Sequence, residues 1–234
     1  MSKRKKEQIS KGNQEMIETI NKSEAFFNKN KKAIIASLIA LVLIVVGVIA
    51  YHNYATSRNE KASTAMAKCQ ELFSAQDFEK ALKGDSIGTP GFIQIASDYS
   101  STKAGNLANL YAGLCYAKLD KWQEAVKYFD QFSPKGDMMV SPMAIIAMGD
   151  AYANVKQLDK AVECYQKAVK MADGASELGY NTTISPIALQ KAGLILMEQK
   201  KNDEALKMFE TIKEKYLGAA VQQDIDKYIE YLKE

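Results

Sequence analysis

An all-α architecture, one transmembrane helix followed by a solenoid of helical hairpins, is the fold class that this sequence predicts. Three observations carry it. Residues 33–51, AIIASLIALVLIVVGVIAY, run for 19 residues without a charge. Further along, glycine, aromatic and alanine positions recur at matching offsets in three segments. The four prolines of the chain, Pro90, Pro134, Pro142 and Pro186, all fall between apolar-periodic stretches, where a helix starts or stops, and no alternating strand pattern of useful length occurs.

The apolar run comes first. At 1.5 Å per residue, a helix of this length approaches the roughly 30 Å hydrocarbon thickness of a bilayer. A cleaved secretory signal fits poorly, because a 32-residue polar leader precedes the run and Tyr51, His52, Asn53 and Tyr54 follow it where small residues are needed. The leader carries nine basic residues, Lys3, Arg4, Lys5, Lys6, Lys11, Lys22, Lys29, Lys31 and Lys32, whereas the 15 residues after Tyr51 carry only Arg58 and Lys61. This bias predicts an amino end in the cytoplasm and everything from about residue 55 onward outside, with Tyr51 and Tyr54 at the far interface. Four glutamates offset the nine positive charges, so the leader holds +5 of a chain whose total is +3, and the remainder is −2. A basic juxtamembrane tail reads as a topology signal or a membrane-surface element, not as a nucleic-acid site. Its apolar positions, Ile9, Met16, Ile17, Ile20, Phe26 and Phe27, are spaced loosely enough for an interfacial helix or a docking segment.

The repeats follow. Gly113 is succeeded by Tyr116, Trp122, Ala125 and Phe129; Gly149 by Tyr152, Leu158, Ala161, Tyr165 and Ala168; Gly193 by Leu196, Ala205 and Phe209. Offsets of +3, +12 and +16 make physical sense, because a small residue lets two helices approach, an aromatic fills the groove and a second small residue receives it. These are the spacings of tetratricopeptide repeats. The glycines stand 36 and 44 residues apart, against about 34 in the standard repeat, and the longer interval contains GASELGYNTTISP, read as an extended second helix and a loop before Pro186. Asn181, Thr182 and Thr183 match a glycosylation acceptor, read here as coincidence. Upstream, Phe78 and Ala81 take the aromatic and small positions of a degenerate repeat, with Cys69 at the glycine position, a break at Lys83-Gly84-Asp85 and a short helix near Ile93 to Tyr99. Downstream, Val221, Ile225, Tyr228, Ile229 and Leu232 mark a capping helix. The expected organisation is a basic cytoplasmic tail at 1–32, the transmembrane helix at 33–51, a helical linker and degenerate repeat at 52–100, three repeats at 101–217, and the cap at 218–234.

EAFFNKNKK before the span, PGFIQIASDYSSTKAGNLANLYAG after it, and the three repeats together resemble the single-pass tetratricopeptide proteins that are ancillary subunits of the bacterial Sec translocon. The resemblance covers nearly the whole chain, and STKAGNLANLYAG is its most specific stretch; Phe26-Phe27 stands where tryptophans are typical. It implies an inner-membrane protein with a periplasmic repeat domain, and as partners translocon subunits, exported chains or envelope chaperones.

Catalytic material is scarce. His52 is the single histidine and abuts the apolar run, and Cys69, Cys115 and Cys164 are widely separated with no CxxC pair. There is no phosphate-binding glycine loop and no Ser-centred nucleophile elbow. The chain therefore reads as a non-enzyme with no cofactor, metal, nucleic acid or small-molecule substrate. Its binding face should be the groove built from the first helix of each pair. Counting from the glycines, that groove presents Leu107, Leu110, Tyr111, Leu114 and Lys118, then Met143, Ile146, Asp150 and Asn154, then Ile187, Gln190, Lys191 and Met197. Lys118, Asn154 and Lys191 are too few and too scattered to clamp a carboxylate tail, and a face rich in Leu, Met and Tyr better suits an apolar or amphipathic segment. The same residues could instead form ordinary core beneath the amino-terminal helices. The expected role is a scaffold that assists exported proteins beside the translocon. The alternatives are a bridge between envelope complexes that binds no client, or a membrane regulator signalling through its tail.

Overall fold

The computed structural model describes residues 3–85 and 88–234, with side chains from Met16 onward. The side chains of Lys3, Arg4, Lys5, Lys6, Ile9 and Lys11 lie outside the described residues. Among those described there are ten α-helices and no strand, and a single isolated β-bridge joins Gly84 to Pro90. The chain divides into two compact units, residues 1–57 and 58–234.

Helix α1 runs Lys3–Ser74. Within the first unit its apolar side chains from Ile35 to Ile49 are exposed on every side, Leu43 by 66%. Among the described residues no other element of that unit covers them, and the helix is long and apolar enough to cross a membrane.

The second unit is a stack of helical hairpins. From Arg58 onward, α1 presents Ala62, Met66 and Cys69, a buried stripe at i, i+4 and i+7, to a core shared with α2 (Phe78–Lys83), α3 (Phe92–Asp98) and α4 (Lys103–Lys118). Three hairpins then follow: α4 with α5 (Trp122–Phe129), α6 (Val140–Asn154) with α7 (Leu158–Gly174), and α8 (Ile184–Glu198) with α9 (Asn202–Lys215). Helix α10 (Gln222–Lys233) covers the end. The long interval between the second and third glycines is explained by α7, a 17-residue helix against the 8 of α5, and by the loop of residues 175–183. Pro142 and Pro186 are each the third residue of their helix, where the missing N–H has no intrahelical partner to lose, and both are fully buried.

The repeat glycines act by absence. A Cβ on Gly113, Gly149 or Gly193 would stand 2.6 Å from the ring of Phe129, Tyr165 or Phe209, the aromatic sixteen residues on. Seven residues after each glycine the chain turns through a left-handed residue, Asp120, Lys156 or Lys200, with φ between 55° and 62°. Gln76 (φ 63°) holds the same place seven residues after Cys69. All four turns close alike: the next residue's N–H bonds back over the helix end, Asp77 to Leu72, Lys121 to Tyr116, Gln157 to Tyr152 and Lys201 to Leu196, at 2.9–3.0 Å. This is the Schellman closure, with the left-handed residue's own N–H bonded three residues back. The first hairpin is thus a repeat whose second helix stops after six residues. The +16 position is Asp85, beyond the Gly84 (φ 88°) break of α2, so no ring arrives there and Cys69 fits where glycine is otherwise needed. Its thiol donates to the Pro90 carbonyl at 2.8 Å.

Candidate functional site

The first helices of successive pairs touch, α4 against α6 and α6 against α8. Leu114, Ala117 and Lys118 of α4, Asp120 of the turn, Trp122 of α5, and Ala147 and Asp150 of α6 line a cavity of about 390 Å³ there. Asp150 anchors its floor: one carboxylate oxygen accepts from the Tyr165 hydroxyl at 2.8 Å and from the Lys191 ammonium at 2.8 Å. Burial, reinforced by the Asp150 charge, pushes the Tyr165 phenol far above its ordinary value, so it remains a donor at any physiological pH. The Lys191 charge is engaged by Asp150, leaving Lys118 as the exposed cation at this cavity.

The groove residues expected from sequence do not share one surface. Leu114, Lys118 and Asp150 share the cavity just described. Leu110 and Ile146 are core, exposed by only 6% and 4%. Tyr111 is half-buried beneath the amino-terminal helices, stacked on Phe92 (centroids 5.1 Å apart) and edge-on to Phe73 (5.4 Å). Met143 and Asn154 are exposed, and the Asn154 amide donates to the Asp150 carbonyl at 2.8 Å. Ile187 lines a separate cavity of about 260 Å³ with Thr182, Thr183, Pro186 and residues 218–221. Gln190, Lys191 and Met197 are half-buried, and Met197 packs towards the core under α10. Leu107 lines a third cavity, of about 440 Å³, with Lys103, Asn106, Phe132, Lys135, Asp137, Val140 and Ser141. Trp122, Phe132 and Val140 are not among the residues expected from sequence, and the Met138-Met139-Val140 run after a Gly-Asp turn is the sequence signal that points to the third cavity.

Carboxylates tie neighbouring hairpins together. Asp130 at the end of α5 accepts from the Tyr152 hydroxyl of α6 at 2.7 Å, and Asp159 of α7 from Gln199 and Lys201 at 2.8 and 2.9 Å. Asp173 of α7 receives the most donors, Ser185 Oγ (2.6 Å), Tyr216 OH (2.7 Å), Lys215 Nζ (2.6 Å) and the Asn181 amide (2.9 Å). Burial alone would raise the Asp173 carboxyl, but these hydrogen bonds outweigh it and hold it below its ordinary 3.8. Cys69, Cys115 and Cys164 are free and buried, and burial pushes their thiols to about 11, 12 and 11. Such thiols are protonated at neutral pH and poor nucleophiles. Among the described residues no group of three or more His, Cys, Asp or Glu is placed to hold a metal ion. The geometry offers shallow apolar cavities with a few polar groups, which is binding chemistry.

A family profile described as a tetratricopeptide repeat-like domain matches residues 24–148, more than half of the chain. The chain belongs to that family. Two further tetratricopeptide repeat profiles match residues 144–173 and 187–216, which correspond to the α6–α7 and α8–α9 hairpins. The first match begins upstream of the apolar run and takes it in. Among solved structures, the nearly identical TPR-like repeats of a Podosopora anserina protein described as a kinesin light chain, and a single-residue variant of those repeats, share the fold. The TM-scores are 0.51 and 0.52, at 12% identity over 75% of this chain and 94% of theirs. No curated protein matches this chain. Tetratricopeptide arrays are protein-interaction modules, and the partners of this chain are accordingly proteins.

Proposed function

We propose that the chain is a membrane-anchored, non-catalytic scaffold: residues 33–51 fix it in the bacterial inner membrane, residues 1–32 stay in the cytoplasm, and the repeats at 101–217, capped by 218–234, work on the periplasmic side beside the protein translocon. Its partners there are translocon subunits, exported chains or envelope chaperones. One observation carries the reading. The apolar helix and the first repeats lie within a single family match, which supports reading the helix as an anchor that goes with the array. The lysine-rich flank supports the orientation. The mechanism is local concentration: tethering raises the effective concentration of the groove at the membrane surface, so weak contacts with an emerging chain become productive.

Photocrosslinking in native membranes from Lys118 and Met143, both exposed, tests this directly. Translocon subunits or exported chains are the expected adducts, and recovering neither sinks the placement beside the translocon.

A further inference from the structure

The third cavity lies apart from the Asp150 floor. Leu107, Phe132 and Val140 form its apolar wall, and at about 440 Å³ it falls within the roughly 300–1,000 Å³ range of pockets that accept a ligand or an anchoring side chain. The apolar surface continues outward onto Met138, Met139, Val140 and Met143, all exposed, Met139 by 65%. Four neighbouring exposed apolar residues, three of them flexible and polarisable methionines, are costly to leave in water and can repack around different shapes.

Both walls are locked. The Asn106 side chain clamps the opposing loop through both of its atoms, donating to the Ser133 carbonyl at 2.8 Å and accepting from the Ser133 amide at 2.7 Å. On the other side Asp137 accepts from the amides of Met139 and Ser141, each at 3.0 Å, and from the Ser141 hydroxyl, which in turn accepts from the Lys135 amide at 2.7 Å. Burial alone would raise the Asp137 carboxyl, but these bonds outweigh it and hold it below its usual range, so it stays ionised and turned to the start of α6. Lys103 and Lys135 line the same cavity, are exposed, and pair with no carboxylate among the described residues. The opening is therefore apolar inside and net cationic at the rim, two lysines against one carboxylate whose hydrogen bonds all go to the Asp137–Ser141 segment.

We propose that this cavity is a docking site for a protein segment that inserts a bulky apolar side chain between Leu107, Phe132 and Val140 and sets adjacent carboxylates against Lys103 and Lys135. Charge complementarity selects an acidic-apolar peptide, and the concave, pre-formed shape selects a protruding side chain over a flat lipid surface. The proposal rests on the protein-binding role of the array and not on where in the envelope the array works.

Full-length protein in phosphatidylcholine nanodiscs is titrated with short fluorescein-labelled peptides carrying a central Phe-Leu pair among glutamates, and with analogues in which glutamines replace the glutamates, lysines replace them, or serines replace the Phe-Leu pair. The glutamate peptide should bind saturably, weaken with salt, and exceed the glutamine and serine analogues by about tenfold. The double variant K103E/K135E should reverse the preference towards the lysine peptide. V140D, at a position already half exposed, should abolish binding while leaving the circular dichroism spectrum unchanged. Equal binding of the glutamate and glutamine peptides, or an unaltered preference in K103E/K135E, overturns the proposal. So does binding that survives V140D but fails when Lys118 is replaced, an outcome that moves the peptide to the α4–α6 cavity and leaves the scaffold reading intact. Association of the patch with phosphatidylglycerol vesicles only, or with a second copy of the chain only, also overturns it.

Discussion

Replacing Gly193 by alanine tests the physical basis of the hairpin stack. The added Cβ would lie 2.6 Å from Phe209 Cζ and 2.7 Å from Cε1, about 1 Å inside the favourable separation of roughly 3.5–4.0 Å between carbons. The ring has little room to withdraw: Phe209 is fully buried and stacks on Tyr228 of α10, centroids 5.0 Å apart. Overpacking costs about 1–3 kcal/mol, and with the ring pinned the upper half of that range applies; alanine in a helix interior recovers about 1 kcal/mol relative to glycine, so a net loss of about 1–2 kcal/mol is expected. A loss of about 1.4 kcal/mol is tenfold in the opening equilibrium, and hydrogen exchange read by mass spectrometry should show α9 and α10 exchanging about tenfold faster, with α4 and α5 unchanged. Combining Gly193→Ala with Phe209→Leu should cost less than the sum of the two changes, because the smaller side chain vacates the space the methyl needs. Gly174→Ala is the matched control, since nothing lies within 4 Å of its Cβ position, and it should be neutral or mildly stabilising. If Gly193→Ala also proves neutral, or the two Gly193 and Phe209 changes are additive, close helix approach is not why glycine stands there.

Three further outcomes follow from the same geometry. Asp173→Ala orphans the hydroxyls of Ser185 and Tyr216, both fully buried, and should cost about 2–5 kcal/mol by thermal melting, with Asp173→Asn intermediate. Because the folded-state carboxyl is held below its ordinary 3.8, its contribution is complete at neutral pH and is lost as pH falls through 3.8 towards the folded value; in Asp173→Ala the acid limb of the stability profile should flatten. Lys156→Gly relieves a side chain held at φ 62° and should raise the melting free energy by up to about 1 kcal/mol, whereas Lys156→Val should lower it by about 1–2 kcal/mol. Cys69, Cys115 and Cys164 should resist iodoacetamide in the folded protein and react together in urea, as intact mass would show; alkylation of the folded chain at the rate of an exposed thiol would contradict the burial that pushes them to about 11, 12 and 11.

The hairpin architecture is legible in sequence because a glycine and a ring sixteen residues apart answer one steric requirement wherever they occur. The left-handed turns are less so. Gln76, Asp120, Lys156 and Lys200 share a backbone conformation and no side-chain chemistry, and glycine, the usual sign of such a turn, is absent from all four. The groove is legible only in part. Tyr111 and Leu114 look alike in helical spacing, yet Phe73 and Phe92 cover the first, while the second lines an open cavity. Whether an apolar face is covered depends on α1 and α3, whose approach no spacing within α4 records. Leu110 and Ile146 are buried from another side, Leu110 among residues of α5 and α6 and Ile146 among residues of α7 and α8, and the Phe132–Val140 wall belongs to a loop that a count from the glycines never reaches.

The aspartates that link one hairpin to the next limit how far this array can be treated as interchangeable modules. Asp130 is answered by a tyrosine of the following hairpin, Asp150 by a lysine of α8, and Asp159 and Asp173 by donors from the α8–α9 hairpin. Excising the α6–α7 hairpin, or grafting in a consensus substitute, would strand Ser185 and Tyr216 on one side and Asp130 on the other. A transplantable cassette from this protein is therefore not one repeat but a stretch that keeps each carboxylate with its donors, and recombination that respects helix boundaries alone should yield poorly folded chimeras.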